Sequence, residues 1–147
     1  MTDLKTFGSR LELECQGSLC EIREALEHVD VYLRARRIKR EWIEDLNLVL
    51  AEALSNIARH GYRDGSGWIK LELDLGETSL DCEITDLGAK FDPSILGRST
   101  PSPTELAEGG YGWFIIRSLT RTLKYLHEDG RNILRFSIPV AVSGEAG

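Results

Sequence analysis

The chain has 147 residues, 41% hydrophobic and 29% charged, with a formal net charge of −6. These values are typical of one globular domain that is large enough to bury a core. The acidic balance argues against a nucleic-acid binder that relies on overall positive charge. No apolar run approaches the roughly 20 residues of a membrane helix, and residues 1–10 lack a signal-peptide pattern. We therefore expect one cytoplasmic domain over 1–147, with a core over about 10–140 and no membrane or nucleic-acid partner.

The three cysteines are odd in number and form no CxxC pair. This usage favours a reducing compartment over a disulfide framework, and it lacks metal-ligand spacing. The simplest interpretation is that Cys15, Cys20 and Cys82 are small core residues.

The first predicted elements are a strand and a helix. Arg10–Cys15 alternates leucine with charged residues, which indicates a half-buried strand. Ser18 is placed to cap a helix from Leu19 to Arg36, with Glu21 at the capping-box position. The apolar stripe of this helix is Ile22, Leu26, Val29 and Leu33.

A basic cluster follows at the end of this helix. One interpretation is a solvated helix end that the helix dipole favours. The other is a docking patch for an acidic protein partner. The cluster consists of Arg34, Arg36, Arg37, Lys39 and Arg40.

The central predicted helix runs from about Arg40 to His60 and stops at Gly61. It carries Glu52, Asn56 and His60 at intervals of four, which places the three side chains along one strip. The strip borders a buried stripe, so a carboxylate and a carboxamide would lie at the edge of the core, where a cleft could use them. For His60, a hydrogen-bonded structural role is favoured over a ligand role. The stripe consists of Ile43, Leu46, Leu50, Ala53 and Ile57.

The second half predicts two hairpins and one more helix, separated by a long loop over Asp86–Gly112. Helices with one apolar face and hairpins with one apolar face pack most economically as an α+β two-layer sandwich. We expect a mixed, mostly antiparallel sheet with the helices on one face, and a frayed tail after Val140. The predicted elements are strands Trp68–Leu75 and Leu80–Thr85, helix Tyr111–Thr122, and strands Thr122–His127 and Asn132–Val140.

Two glycine-containing stretches carry candidate chemistry. Asp86 follows a strand and could accept a hydrogen bond from an exocyclic amine, while Gly88 would let a flat ring approach the backbone. The alternative is an Asx-type turn that closes the strand. Gly109-Gly110-Tyr111-Gly112 precedes a helix, where free N–H groups can cradle phosphates. The alternative there is a flexible loop end.

Together, ExxxNxxxHGY, DxGxxFDP and a helix-opening GGxG resemble the N, G1 and G2 boxes of the GHKL ATPase superfamily. Within it, the chain most resembles the anti-sigma-factor serine kinases of the RsbW/SpoIIAB type. The HGY, the FDP and the helix WFIIRSLTRTLKY are all echoed, and the likeness runs from about Leu11 to Pro139.

The resemblance implies a Bergerat-fold site for ATP and Mg²⁺. Asn56 would ligate Mg²⁺, Glu52 would be the general base, Asp86 would bond the adenine amine, and Gly88 would give the ring access. The G2 residues Gly109, Gly110, Tyr111 and Gly112 would contact the phosphates under an ATP lid formed by residues 90–108.

The chain departs from that pattern beside the G2 glycines. Some relatives carry an arginine where this chain has Glu108, so the positive charge near the terminal phosphate must come from elsewhere, with Arg98 as a candidate. Tyr111 and Trp113 stand where smaller aliphatic residues are common. These departures put the turnover rate in more doubt than ATP binding.

By resemblance, the function is an ATP-dependent protein serine kinase of a bacterial partner-switching system. Its substrate would be a STAS-domain anti-anti-sigma protein, a sigma factor is a candidate second partner, and relatives suggest a homodimer. The alternative is an ATP-binding anti-sigma or regulatory protein without significant kinase turnover. A further option is a secretion or biofilm regulator that kept the kinase activity and lost sigma binding.

Overall fold

The computed structural model describes residues 2–62, 67–89 and 111–142, apart from the side chains of residues 60, 61 and 111. Its strands and helices alternate much as the sequence predicts. In chain order they are β1 (Asp3–Phe7), β2 (Arg10–Gln16), α1 (Leu19–Ala35), α2 (Arg40–Asn56), β3 (Trp68–Leu75), β4 (Ser79–Asp86), α3 (Tyr111–Leu119), β5 (Thr122–Glu128) and β6 (Arg131–Pro139).

The strands form one six-stranded sheet in the order β1-β2-β3-β4-β6-β5. The five strand pairings of this sheet are all antiparallel, where a mixed, mostly antiparallel sheet was expected. The strand positions of one face are buried with the apolar faces of the helices in a single core, while the opposite face is largely charged. The predicted α+β two-layer sandwich is therefore confirmed.

The strand β1 was not predicted. All five of its side chains are exposed. It therefore buries no face, and the alternation of apolar and polar residues that predicts a half-buried strand is not required of it. It pairs with β2 in an antiparallel register, from Asp3 opposite Glu14 to Phe7 opposite Arg10. An exposed edge strand of this kind is defined by its pairing rather than by its own pattern.

The predicted cap of α1 is confirmed. Ser18 Oγ accepts a hydrogen bond from the Glu21 N–H at 3.2 Å. The Glu21 carboxylate in turn accepts from the Gln16 N–H at 3.1 Å, which ties the helix to the end of β2.

One residue of the basic cluster, Arg36, makes contacts that stabilise the fold. The Arg36 guanidinium lies 3.6 Å from the centroid of the Tyr32 ring and donates to the Gly8 carbonyl at 3.0 Å. These contacts hold the end of α1 against the β1–β2 turn. Two further residues of the cluster form i,i+4 ion pairs on the surface, Arg34 with Asp30 and Arg40 with Glu44. The use of the exposed residues as a docking patch remains a prediction.

The central helix ends earlier than predicted. The α-helix α2 stops at Asn56, and the backbone continues as a π-helical turn over Ile57–Gly61. The Tyr62 N–H donates to the Ile57 carbonyl at 3.1 Å, five residues back. A π turn holds more residues than an α turn, so the regular spacing of four does not extend to position 60. Such turns are frequent at functional sites.

Two smaller expectations need correction. Cys15 and Cys82 are buried, and burial raises the pKa of the Cys15 thiol to about 11, but Cys20 lies exposed at the start of α1, so the prediction of a core residue is wrong there. At the start of the predicted frayed tail, Lys39 N–H donates to the Ala141 carbonyl at 2.9 Å, while residues 143–147 of that tail lie outside the described residues.

Candidate active site

The side chains of Glu52 and Asn56 meet the start of α3 at Gly112. A Cβ placed on Gly112 would lie 2.8 Å from Glu52 Oε2 and 3.2 Å from Asn56 Nδ2. Real Cβ atoms essentially never show a contact below 3.0 Å, so only glycine leaves the Glu52 carboxylate in this position. The contact brings the last two turns of α2 against the glycine-containing start of α3.

Asn56 is buried at 7% exposure and is only half satisfied. Its Oδ1 accepts from Arg59 Nη2 at 3.0 Å, but its Nδ2 has no hydrogen-bond partner within the part of the chain that the structure describes. A buried unpaired donor costs roughly 1–3 kcal/mol. Native proteins retain such groups mainly where they serve a purpose, for example to meet a ligand.

The surroundings of Asn56 fit a magnesium ion that keeps most of its water. Over residues 2–62, 67–89 and 111–142, no group of three or more His, Cys, Asp or Glu side chains could form a metal cage. Mg²⁺ is commonly held by one or two protein oxygens, with water and substrate phosphates as its other ligands. Asn56 Oδ1 has a second lone pair beside the one that Arg59 uses, so it can supply such an oxygen.

Arg59 is a site residue that the sequence interpretation missed. It lies one turn after Asn56, in the π-helical turn, and its guanidinium reaches the oxygen of the same side chain. It supplies a positive charge to a site whose G2 glycines follow Glu108 rather than an arginine. The spacing of three residues from Asn56 was the signal that could have found it.

The second group of site residues surrounds Asp86, the last residue of β4. Asp86 is 5% exposed, and its Oδ1 accepts from the Gly88 N–H at 2.8 Å and from Asn132 Nδ2 at 2.9 Å. Burial raises the pKa of the Asp86 carboxyl, while the hydrogen bonds from Asn132 and Gly88 oppose that rise. The Asx-type bond that the sequence offered as an alternative is thus present, and it coexists with a buried carboxylate acceptor.

Asn132 and its neighbours were also missed. Asn132 pairs directly with Asp86 across β4 and β6 and is 4% exposed. Its Oδ1 lies 2.5 Å from Tyr125 Oη and 2.9 Å from His127 Nδ1, both on β5. No local motif marks this group, because strand pairing is what brings Asn132 to Asp86, 46 residues away in sequence.

Tyr62 connects the two groups. Its hydroxyl donates to the Trp68 carbonyl at 2.6 Å and accepts from the Leu87 N–H at 2.6 Å. Its ring fills the space that a Cβ on Gly67 would need, at 2.2 Å. The tyrosine of the HGY motif therefore holds the segment after α2 against the segment after Asp86.

The structure therefore places the predicted site residues in two groups. Glu52, Asn56 and Gly112 form one, and Asp86 and Gly88 belong to the other. Tyr111 begins α3, but nothing is described of its side chain or that of His60. Outside the described residues lie Gly109, Gly110, Arg98, Glu108 and the lid segment 90–108.

Comparison with known proteins places this site in a family. The model of the histidine kinase-like ATPase domain matches residues 16–138, and the chain belongs to that family. This confirms the resemblance that the N, G1 and G2 motifs indicated. Within the described ranges 2–62, 67–89 and 111–142, no helix is long and apolar enough to cross a bilayer.

Individual relatives narrow the likeness. Proteins named serine-protein kinase RsbW from Bacillus thuringiensis (strain Al Hakam) and Bacillus cereus (strain 03BB102) are 32% identical over 98 residues. The matched region is 63% of this chain and 61% of theirs. A chain of the SiaB–SiaC complex from Pseudomonas aeruginosa superposes with a TM-score of 0.65 at 19% identity, covering 85% of this chain and 88% of that one. The structural likeness supports the fold, and the sequence likeness spans less than two thirds of the length of these RsbW relatives.

Proposed function

We propose that this chain is an ATP-dependent protein serine kinase of a bacterial partner-switching system. The observation that carries the proposal is the meeting of Glu52 and Asn56 at Gly112. It sets a carboxylate and a metal-type oxygen against the glycine segment that would hold phosphates. The names of the RsbW relatives support the serine kinase class.

In this proposal the nucleotide lies across both groups of residues. Asp86 accepts a hydrogen bond from the amino group of adenine, and Gly88 lets the ring approach. Gly112 binds the phosphates together with Gly109, Gly110 and Tyr111, whose contacts remain predictions from the motif. Arg59 donates to a phosphate oxygen once nucleotide draws it from Asn56, because guanidinium groups bind phosphate in charge-assisted pairs.

A bound Mg²⁺ would supply positive charge that neutralises the phosphates during transfer. Asn56 is the residue that would hold it, through Oδ1, and its unpaired Nδ2 would find an acceptor in the bound state. Glu52 lies one turn earlier on the same helix face, near enough to serve the reaction while leaving the metal to the amide.

Glu52 acts as the general base. Its carboxylate takes the proton from the hydroxyl of a substrate serine as the serine oxygen bonds to the γ-phosphorus. The bond between that phosphorus and the β,γ-bridging oxygen breaks at the same time, and ADP leaves. Phosphoryl transfer requires mainly positioning and charge neutralisation, which fits a site built from one carboxylate, one amide and one guanidinium.

The proposed substrate is a serine on a STAS-domain anti-anti-sigma protein, in the cytoplasm. The structural neighbour comes from a complex of two proteins, SiaB and SiaC, in keeping with action on a partner. A single domain over 1–147, a sigma factor as second partner and a homodimer remain parts of the proposal.

The test is transfer of radiolabelled phosphate from ATP to STAS proteins encoded near the gene. Wild-type protein should label one of them, and Glu52→Gln should lower the rate by about 10²–10⁴-fold. Glu52→Gln should nevertheless bind Mg-ATP within about threefold of wild type, because it removes only the proton acceptor. Asn56→Ala should bind Mg-ATP far more weakly.

Other results would change the assignment. If Glu52→Gln transfers phosphate at the wild-type rate, the general base is another residue. If wild type binds ATP but labels no STAS protein, the chain is the binding protein of the alternative hypothesis, for which ATP maintains a partner-competent shape. If calorimetry detects no Mg-ATP binding, the whole proposal fails.

A further inference from the structure

The hydrogen bonds of Asn132 fix the orientation of its side-chain amide. Its Nδ2 faces three oxygen acceptors, which are Asp86 Oδ1 at 2.9 Å, the Gly88 carbonyl at 3.1 Å and the Ala89 carbonyl at 3.2 Å. A flipped amide would turn its own oxygen toward all three. The nitrogen must therefore point to the β4 side.

The oxygen of the same amide faces the edge strand. Asn132 Oδ1 can only accept, so both groups near it must donate, which are Tyr125 O–H and His127 Nδ1–H. This defines the tautomer of neutral His127, with its proton on Nδ1. Tyr125, His127 and Asn132 thus form a chain of donors that runs in one direction, from β5 to Asp86.

The chain of donors determines what Asp86 can offer to a ligand. Its Oδ1 already accepts two hydrogen bonds, from Asn132 and from the Gly88 N–H, so among the described contacts Oδ2 is the oxygen left for a new donor. Asn132 also holds the carbonyls of Gly88 and Ala89, the backbone beside which a flat ring would lie. The direction of Oδ2 and the path of this backbone are therefore set together.

The carboxylate needs this support because it is buried. An acceptor for an amino group must stay ionised, and removal from water favours the neutral acid. The bond from Asn132 opposes that effect. Asn132 can donate steadily only if Tyr125 and His127 prevent it from rotating.

We propose that Tyr125 and His127, acting through Asn132, are positioning residues that aim Asp86 at the 6-amino group of adenine and so set the base specificity of the site. This rests on the proposed function, since it assumes that a nucleotide is bound. It adds a specificity device on the edge strand that touches no nucleotide itself.

The experiment compares ATP with purine riboside triphosphate, which lacks only the 6-amino group. The dissociation constants of both are measured by calorimetry with Mg²⁺ on each variant. Wild type should prefer ATP by about tenfold or more, because a hydrogen bond to a charged acceptor is lost in the analogue. Asn132→Ala should reduce this preference to about twofold or less, and Tyr125→Phe should reduce it about threefold.

The ratio of the two dissociation constants distinguishes a positioning role from a merely structural role. A variant that only loosens the fold weakens both nucleotides alike and leaves the ratio unchanged. His127→Asn keeps a donor near the position of Nδ1 and should retain more of the preference than His127→Ala. Lys124→Gln is the matched control, because Lys124 is exposed on the same strand and points to the opposite face.

Three results would overturn the inference, and they differ in what else they overturn. An unchanged ratio in both Asn132→Ala and Tyr125→Phe removes the positioning role and leaves the kinase proposal intact. Equal binding of both nucleotides by wild type removes the role of Asp86 as well. No binding of either nucleotide by wild type removes the proposed function together with this inference.

Discussion

The base-binding and phosphate-binding halves of the candidate site differ in how completely their polar groups are satisfied. Asp86 and Asn132 are held in a closed network, in which Asp86 Oδ1 and both ends of the Asn132 amide have partners. At the other end, Asn56 Nδ2 is buried without a partner among the described residues, and Arg59 rests on the oxygen of the same side chain. In the proposed complex, one half is therefore ordered before the nucleotide binds, and the nucleotide supplies the missing partner in the other.

This difference suggests that the two halves of the site contribute to different steps, nucleotide selection and reaction. A preorganised acceptor contributes to affinity because little ordering remains to be done on binding. An unsatisfied buried amide stores roughly 1–3 kcal/mol that a ligand can recover. We therefore expect the base half to decide which nucleotide binds, and the phosphate half to decide whether the bound nucleotide reacts.

Among the variants that compare the two halves, the largest expected effect comes from Gly112→Ala. The new Cβ would displace the Glu52 carboxylate and the Asn56 amide, the atoms 2.8 and 3.2 Å from its position. A displacement of about 1 Å can cost 10²-fold in rate, so we expect phosphotransfer to fall by about 10²-fold. The fold should tolerate the change, since Glu52 Oε2 is the end of a flexible side chain. Alanine can even stabilise the helix, by up to about 1 kcal/mol.

The measurement pairs phosphotransfer rate with thermal unfolding. Ser118→Ala is the matched control, because Ser118 is exposed on the same helix and should change neither value much. Normal transfer by Gly112→Ala would mean that the contact of α2 with α3 is not the reaction centre. An unfolded variant would contradict the tolerance expected from the geometry.

Substitution of Arg59 should have a smaller effect on the phosphate-binding half. In Arg59→Gln the side chain keeps a hydrogen-bond donor but loses its charge. Charge-assisted bonds contribute about 1.5–3 kcal/mol, so we expect affinity for ATP to fall about tenfold or more, while affinity for adenosine stays unchanged. Calorimetry with both ligands gives the result, and Arg59→Lys should recover part of the loss. If adenosine and ATP weaken equally, Arg59 acts through the fold and not through phosphate.

These two variants also show what sequence could and could not reveal. Glu52, Asn56 and Gly112 are separated by up to 60 positions, yet each sits in a short motif with its own local chemistry, and the motifs found them. Arg59 belongs to such a motif by spacing and was overlooked. Its guanidinium contacts Asn56 Oδ1 three residues earlier, a spacing that the search for intervals of four did not include.

The base half was harder to predict for a different reason. Asp86 could be selected from sequence because it ends a predicted strand and a glycine follows two residues later. Asn132, Tyr125 and His127 carry no such signal, because they are ordinary residues of a hairpin. They become a network only through the register that sets Asp86 opposite Asn132 and Asn132 opposite His127. Periodicity predicted both hairpins, but it carries no information on which strands lie side by side.

Tyr62→Phe would loosen the connection between the two halves. It deletes the hydroxyl that joins the Trp68 carbonyl to the Leu87 N–H, and we expect the free energy of unfolding to fall by about 1–3 kcal/mol. Nucleotide affinity should fall a few-fold, because Leu87 follows Asp86 directly. Denaturant unfolding and calorimetry measure the two effects.

The matched control for Tyr62 is Tyr32→Phe. Tyr32 also loses one hydroxyl bond to a carbonyl, that of Gly8 at 3.0 Å, far along the chain from the site. It should lose stability without losing nucleotide affinity. Equal affinity losses in the two variants would show that general stability, and not the connection through Leu87, governs binding.

The smallest expected effect is a pH dependence of base selectivity. Burial raises the pKa of Asp86 above its ordinary value, so protonation on acidification begins earlier than for an exposed aspartate. The protonated acid no longer accepts from the 6-amino group, and the preference for ATP over purine riboside triphosphate should decline as pH falls through that pKa. Among the described residues, the titratable groups facing Asp86 are His127 and Tyr62.

Asn132→Ala sharpens this last prediction because the bond from Asn132 lowers the Asp86 pKa. Its removal should move the decline to higher pH. Folding responds with the opposite sign, since a carboxyl with a raised native pKa binds its proton more tightly when folded and so stabilises the fold as pH falls. Measuring the ratio of the two dissociation constants cancels the titration of the phosphates. A ratio independent of pH in both proteins would mean that ionised Asp86 is not the group that recognises adenine.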